Sequence, residues 1–150
     1  MTGIPNALPF WLSLGLPPLA VLGMMQGGWT VALLPLASWG LFSVLDALTG
    51  LNTENPDPAT PEDRLTLHRL VTLIWFPVQF TLLVAMLWYV PRAGHLDLVE
   101  KIALFFGMGV VSGTIGINYS HELMHQKSKV ERWLADLLLA TVLYSHFRSE

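Results

Sequence analysis

The 150-residue chain contains no cysteine, and that one absence removes disulfides, thiolate metal ligands and cysteine nucleophiles together. Any metal must be held by nitrogen or oxygen. Charge is scarce as well: 13% of the residues are Asp, Glu, Lys or Arg, against roughly 25% in an average soluble domain. The net charge of −3 comes with no basic run, which excludes a nucleic-acid partner. No Lys or Arg precedes the first apolar block and no clear cleavage site follows it. The expectation is a retained first span and not a removable signal peptide.

Apolar residues are abundant, at 53% of the chain with a mean hydropathy of +0.51. They fall in long blocks and not in a short amphipathic period, which predicts an all-α, polytopic transmembrane protein forming a single domain over residues 1–150. About four spans and a partial fifth helix are expected. The first two blocks, near Ala7 to Met25 and Trp29 to Leu48, are separated by the hairpin turn Gln26-Gly27-Gly28. Pro17, Pro18 and Pro35 interrupt them and predict kinks, since membrane helices tolerate proline. Asp46 reads as an interfacial aspartate, with contact to the metal region as the alternative.

A polar, proline-rich connector over 49–69 lies outside the hydrocarbon, and His68 at its end reads as interfacial. The third block, Leu70 to Val90, holds Pro77 and closes on Trp88-Tyr89, aromatic anchors of a membrane interface. In the loop that follows, His95 is expected to be solvated. The fourth block, Ile102 to Ile117, contains Gly109 and Gly113, a GxxxG pair that predicts close approach of another helix. It runs without a turn signal into Asn118-Tyr119-Ser120. The last stretch, Trp133 to Phe147, is shorter than the roughly 20 residues of a full crossing, and Arg132 is expected to pair with Asp136 one turn later.

The chemistry is concentrated in the segment 121–125, His121-Glu122-Leu123-Met124-His125. Residues four apart share a helix face, so two imidazoles can grip one metal ion. Zinc proteases use this HExxH spacing with the glutamate as general base, and membrane di-iron oxygenases use it as the first of several histidine boxes. Counting Arg64, Arg69, Lys127, Lys129 and Arg132 on one side against Arg92 and Lys101 on the other places the histidines at the cytoplasmic face of an inner membrane.

From His121 onward the residues carry a resemblance. The order His121, Glu122, His125, then Glu131-Arg132-Trp133-Leu134-Ala135, then Ser145-His146-Phe147 and Glu150 resembles the first histidine box and following helix of the membrane-bound alkane 1-monooxygenases, of the fatty-acid desaturase-like superfamily. Those proteins typically read HELGHK, ERWLA, GHF and then a second box. The second span ending at Asp46 and the Asn-Pro-rich connector are more weakly similar. Met124 stands where glycine is usual, and Gln126 where lysine is usual.

The resemblance implies a membrane di-iron monooxygenase that hydroxylates the terminal carbon of alkanes with O2, two non-haem irons, an apolar substrate taken from the lipid bilayer and a rubredoxin-type electron donor. His121 and His125 would be metal ligands, Glu122 the catalytic carboxylate, and His146, Glu150 and Asn118 would stand around the ligands. The chain stops on the threshold of the second box, so it is expected to be the N-terminal part of a longer enzyme, inactive alone and completed by histidines beyond residue 150. A membrane-embedded HExxH zinc metalloprotease and a non-catalytic membrane protein are the alternatives.

Overall fold

The computed structural model describes residues 10–41, 43, 44, 47 and 66–144, and among them every regular element is helical. The all-α expectation holds for these residues. Helix α1 spans Phe10–Gln26. A 3-10 turn within it, Ser13–Gly15, gives way to regular α-helix at Leu16, where the Leu16 N–H donates to Ser13 O. Pro17 follows directly, its fixed φ suited to the start of an α-helical segment.

Gly27 and Gly28, at φ 67° and 60°, reverse the chain where the hairpin turn is expected. Gly27 also has ψ −158°, a region open essentially to glycine alone. A Cβ at Gly27 would meet Leu96 Cδ2 at 3.0 Å. Gly27→Ala should therefore destabilise the fold by about 1–3 kcal/mol, read as a lowered thermal midpoint. Gly94→Ala, with open space around its Cβ, should leave the midpoint unchanged.

The returning segment α2, 28–41, is irregular: a 3-10 stretch (Gly28–Ala32), one α-turn (Leu33–Pro35) and a π-helical stretch (Leu36–Leu41). Pro35 supplies the reason, since a proline inside a helix cannot donate and crowds the carbonyl of the preceding turn. Helix α3 (Thr66–Tyr89) keeps Pro77 inside it and ends where Pro91 enters a 3-10 turn, Val90–Arg92. Its first turn takes in the end of the expected connector, whose residues 49–65 lie outside the described residues, as does Asp46.

Helix α4 (Leu98–Met124) starts at a capping box: Asp97 accepts from Glu100 N at 2.8 Å, and Glu100 accepts from Asp97 N at 2.7 Å. The other Glu100 oxygen accepts from Gly28 N, tying the hairpin to this helix start. Beside it His95 Nε2 lies 3.0 Å from Met24 O, so His95 is exposed yet not merely solvated as expected. The short helix α5 is Lys129–Thr141. At about 1.5 Å per residue it spans about 20 Å, less than a bilayer core.

The extended helices Thr66–Arg92 and Leu98–Met124 are each 27 residues, long and apolar enough to cross a membrane, with only 33% and 28% of their apolar windows buried. A soluble core helix would be mostly covered. Here Phe80, Val84, Leu87, Ile102 and Phe106 face outward instead. Toward the interior α3 presents Val71, Trp75, Gln79, Leu82 and Met86 at three- and four-residue steps, and α4 presents Leu104, Met108 and Val111.

Helix approach differs from the GxxxG expectation. Among the described residues no atom lies within 4 Å of a Cβ built on Gly109 or Gly113, whereas one on Gly107 would meet Pro35 Cδ at 2.9 Å and one on Gly116 would meet Gln79 Oε1 at 2.6 Å. The close packing is made by the glycines on the neighbouring face. Motif spacing identifies small residues but not the direction in which the rest of the bundle lies.

Two contacts set α5 against α3. Arg69 grips Glu131, and Gln79 Nε2 donates to Thr141 Oγ1 at 3.0 Å. Each pair is 62 residues apart in sequence, so the two helices run parallel and in register.

Candidate metal centre

Helix α4 reaches the histidines through a π-helical turn, Ser112–Gly116. Such a turn takes in an extra residue, and one residue advances all that follow by about 100°. Thr114 Oγ1 donates to Val110 O at 2.7 Å, a competing bond that loosens the regular ladder just here. After the turn, Ser120 and Leu123 are buried while His121, Glu122 and His125 are exposed. Ser120 Oγ donates to Ala135 O at 3.2 Å, anchoring the inner face to α5.

On the outer face the imidazoles of His121 and His125 meet edge to face, with centroids 4.7 Å apart and planes at 75°. Their Nε2 atoms are 3.4 Å apart. Two imidazole nitrogens at this separation are close enough that both could reach one metal ion. The pair is half a site: no group of three or more His, Cys, Asp or Glu able to hold a metal occurs among the described residues.

Glu122 and His121 both line a cavity of about 480 Å³, within the range of small-ligand sites. Thr114, Ile115, Asn118, Tyr119, His121 and Glu122 of α4 form one wall; Phe10 and Ser13 of α1 and Ser38 of α2 form the others. Tyr119 Oη bonds to Phe10 O at 2.9 Å and lies 3.0 Å from Ser13 Oγ, so its hydroxyl is engaged by α1. Its ring stacks on Phe10 at 6.3 Å and meets the Trp75 edge at 5.7 Å. The lining therefore combines the hydrocarbon of Phe10, Ile115 and Tyr119 with the polar groups of Ser13, Ser38, Thr114, Asn118, His121 and Glu122.

The structure brings together His121, His125, Glu122 and Asn118, while His146 and Glu150 lie outside the described residues. His68 is half-buried at the head of α3, edge-on to Phe10 at 5.1 Å. Arg132 Nη1 donates to Gln126 O and Lys127 O at 3.2 and 3.3 Å, closing the turn after His125. Sequence reading passed over Phe10, Ser13, Ser38 and Tyr119 as wall residues. Tyr119 had a local signal, two residues before His121. The others come from helices distant in sequence and had none.

No family model matches the chain. Alkane 1-monooxygenase 1 of Alcanivorax borkumensis is 30% identical to it over 145 residues, covering 91% of this chain and 35% of that protein. Alkane 1-monooxygenase of Pseudomonas putida is 32% identical, covering 92% of this chain and 36% of the relative. Alkane 1-monooxygenase 2 of Pseudomonas aeruginosa is 32% identical over 99% of this chain and 37% of its own length. The chain thus spans little more than a third of the length of the curated relatives it matches.

Proposed function

Because the chain belongs by sequence to the alkane 1-monooxygenases, we propose that it forms the part of a membrane alkane hydroxylase that supplies the first histidine pair and one wall system of the substrate cavity. The observation that carries the reading is the His121–His125 pair, with nitrogens 3.4 Å apart, beside a cavity that Phe10, Ile115 and Tyr119 line with hydrocarbon. The reaction is RCH3 + O2 + 2e⁻ + 2H⁺ → RCH2OH + H2O. Iron supplies the O2 activation that no side chain can. His121 and His125 hold one part of a two-iron set whose other ligands lie elsewhere in the full-length enzyme, with His146 and Glu150 near them.

The chain's own residues bind and orient. Phe10, Ile115 and Tyr119 present hydrocarbon to an alkane, and the Tyr119 hydroxyl, already bonded, makes no demand on it. At the histidine end Glu122 stands where it can hold a proton or orient a ligand imidazole, and Asn118 lies one turn before it. An alkane enters sideways from the bilayer, across which we place four spans and a partial fifth helix, in a bacterial inner membrane with the histidines cytoplasmic. Lys127 and Lys129, exposed beside His125, suit an acidic rubredoxin-type electron donor.

The test is the full-length enzyme in lipid, supplied with a reduced rubredoxin-type donor. Expected are two irons per chain and O2-dependent formation of a primary alcohol from an n-alkane. One zinc per chain with peptide cleavage, or no bound metal, would sink the proposal.

A further inference from the structure

We propose that Arg69 and Glu131 are positioning residues for the histidine pair: their ion pair fixes the start of α5 on α3 and thereby holds the turn that carries His125. The inference rests on the reading of His121 and His125 as metal ligands.

Ser128-Lys129-Val130-Glu131 has the spacing of a capping box, in which the glutamate serves the start of its own helix. It does not do so here. Ser128 makes no side-chain cap, and the Glu131 carboxylate accepts two bonds from Arg69, one from Nε and one from Nη2 at 2.7 Å. The Glu131 side chain is 3% exposed and that of Arg69 44%. Burying a carboxylate costs several kcal/mol unless a well-oriented partner offsets it, and a fork-to-fork guanidinium is the partner that also fixes direction.

What this grip holds is the ligand turn. His125 terminates the histidine-bearing helix at φ −80°, ψ −4°. Three residues, Gln126, Lys127 and Ser128, lead from it into α5, where Glu131 reaches sideways to α3 and Arg132 reaches back to the carbonyls of Gln126 and Lys127. On the near side Ser120, adjacent to His121, is tied to Ala135. His121 is thus anchored through α4 and α5 directly, while His125 depends on where α5 begins. That start is fixed by Arg69–Glu131, with Gln79–Thr141 ten residues further along both helices enforcing the same register.

The experiment titrates the full-length protein in lipid nanodiscs with Co(II), reading affinity spectroscopically and helicity by circular dichroism. In Arg69→Met/Glu131→Met both charges leave together, so no unpaired buried carboxylate remains and the helices should persist. Cobalt affinity should fall about 10–100-fold, the scale for groups that orient ligands. Wild-type affinity with wild-type helicity overturns the proposal. Arg69→Lys keeps the charge and gives up the fork; a weakened site with intact helicity supports positioning, and an unchanged one overturns it even where the double variant fails to fold. Equal cobalt binding by wild type and His121→Ala instead overturns the ligand assignment, a separate failure.

Discussion

His125→Ala should leave the full-length enzyme folded and strip it of iron at one site, with alcohol formation reduced by more than the 10–100-fold that loss of a merely supporting group produces. The side chain is exposed at the end of its helix, so its removal opens no core cavity and leaves no buried donor unpaired. What disappears is one of two nitrogens 3.4 Å apart. A single imidazole on a flexible stem lacks the preorganised second contact, so the metal dissociates. Iron per chain by elemental analysis and alcohol by gas chromatography give the two readouts. Full iron occupancy in the variant would refute the ligand role. Glu122→Gln, which keeps the shape but not the charge, provides the comparison: it should retain iron while turnover falls.

The largest loss of stability should come from Trp75→Ala. Trp75 is 1% exposed, donates from Nε1 to Gln79 Oε1 at 2.7 Å and meets the Tyr119 ring edge-on. Truncating a buried aromatic to alanine costs about 3–5 kcal/mol, and the orphaned Gln79 oxygen adds about 1–3 kcal/mol. Trp75→Phe should recover most of the packing while still losing the hydrogen bond. Denaturation midpoints in mixed micelles would order the three proteins as wild type, Trp75→Phe, Trp75→Ala. Equal midpoints for the first and last would show that α3 does not pack as described. Because Tyr119 lies two residues before His121, the alanine variant should also loosen the cavity wall.

Local periodicity made some of this legible and distance made the rest opaque. His121 and His125 were readable because a helix brings i and i+4 together whatever surrounds it. The reversal at Gly27 and Gly28 was readable because glycine enters the positive-φ region that such a turn needs. A motif gives no azimuth, and among the described residues the close packing falls on Gly107 and Gly116 and not on Gly109 and Gly113. Arg132 was assigned to Asp136 on helix spacing, yet its guanidinium reaches the carbonyls of Gln126 and Lys127. Arg69 with Glu131, and Gln79 with Thr141, meet across 62 residues, a separation on which no pattern in one sequence bears.

The bond from Tyr119 to Phe10 joins residues 109 positions apart. At a synthesis rate of about 5–20 residues per second, roughly 5–20 s pass between the emergence of Phe10 and that of its partner. During that interval α1 can pack on α2 and α3, whose His68 meets the Phe10 ring, but the α4 residues that complete the cavity wall are still missing. The cavity therefore exists only once the fourth helix has been delivered.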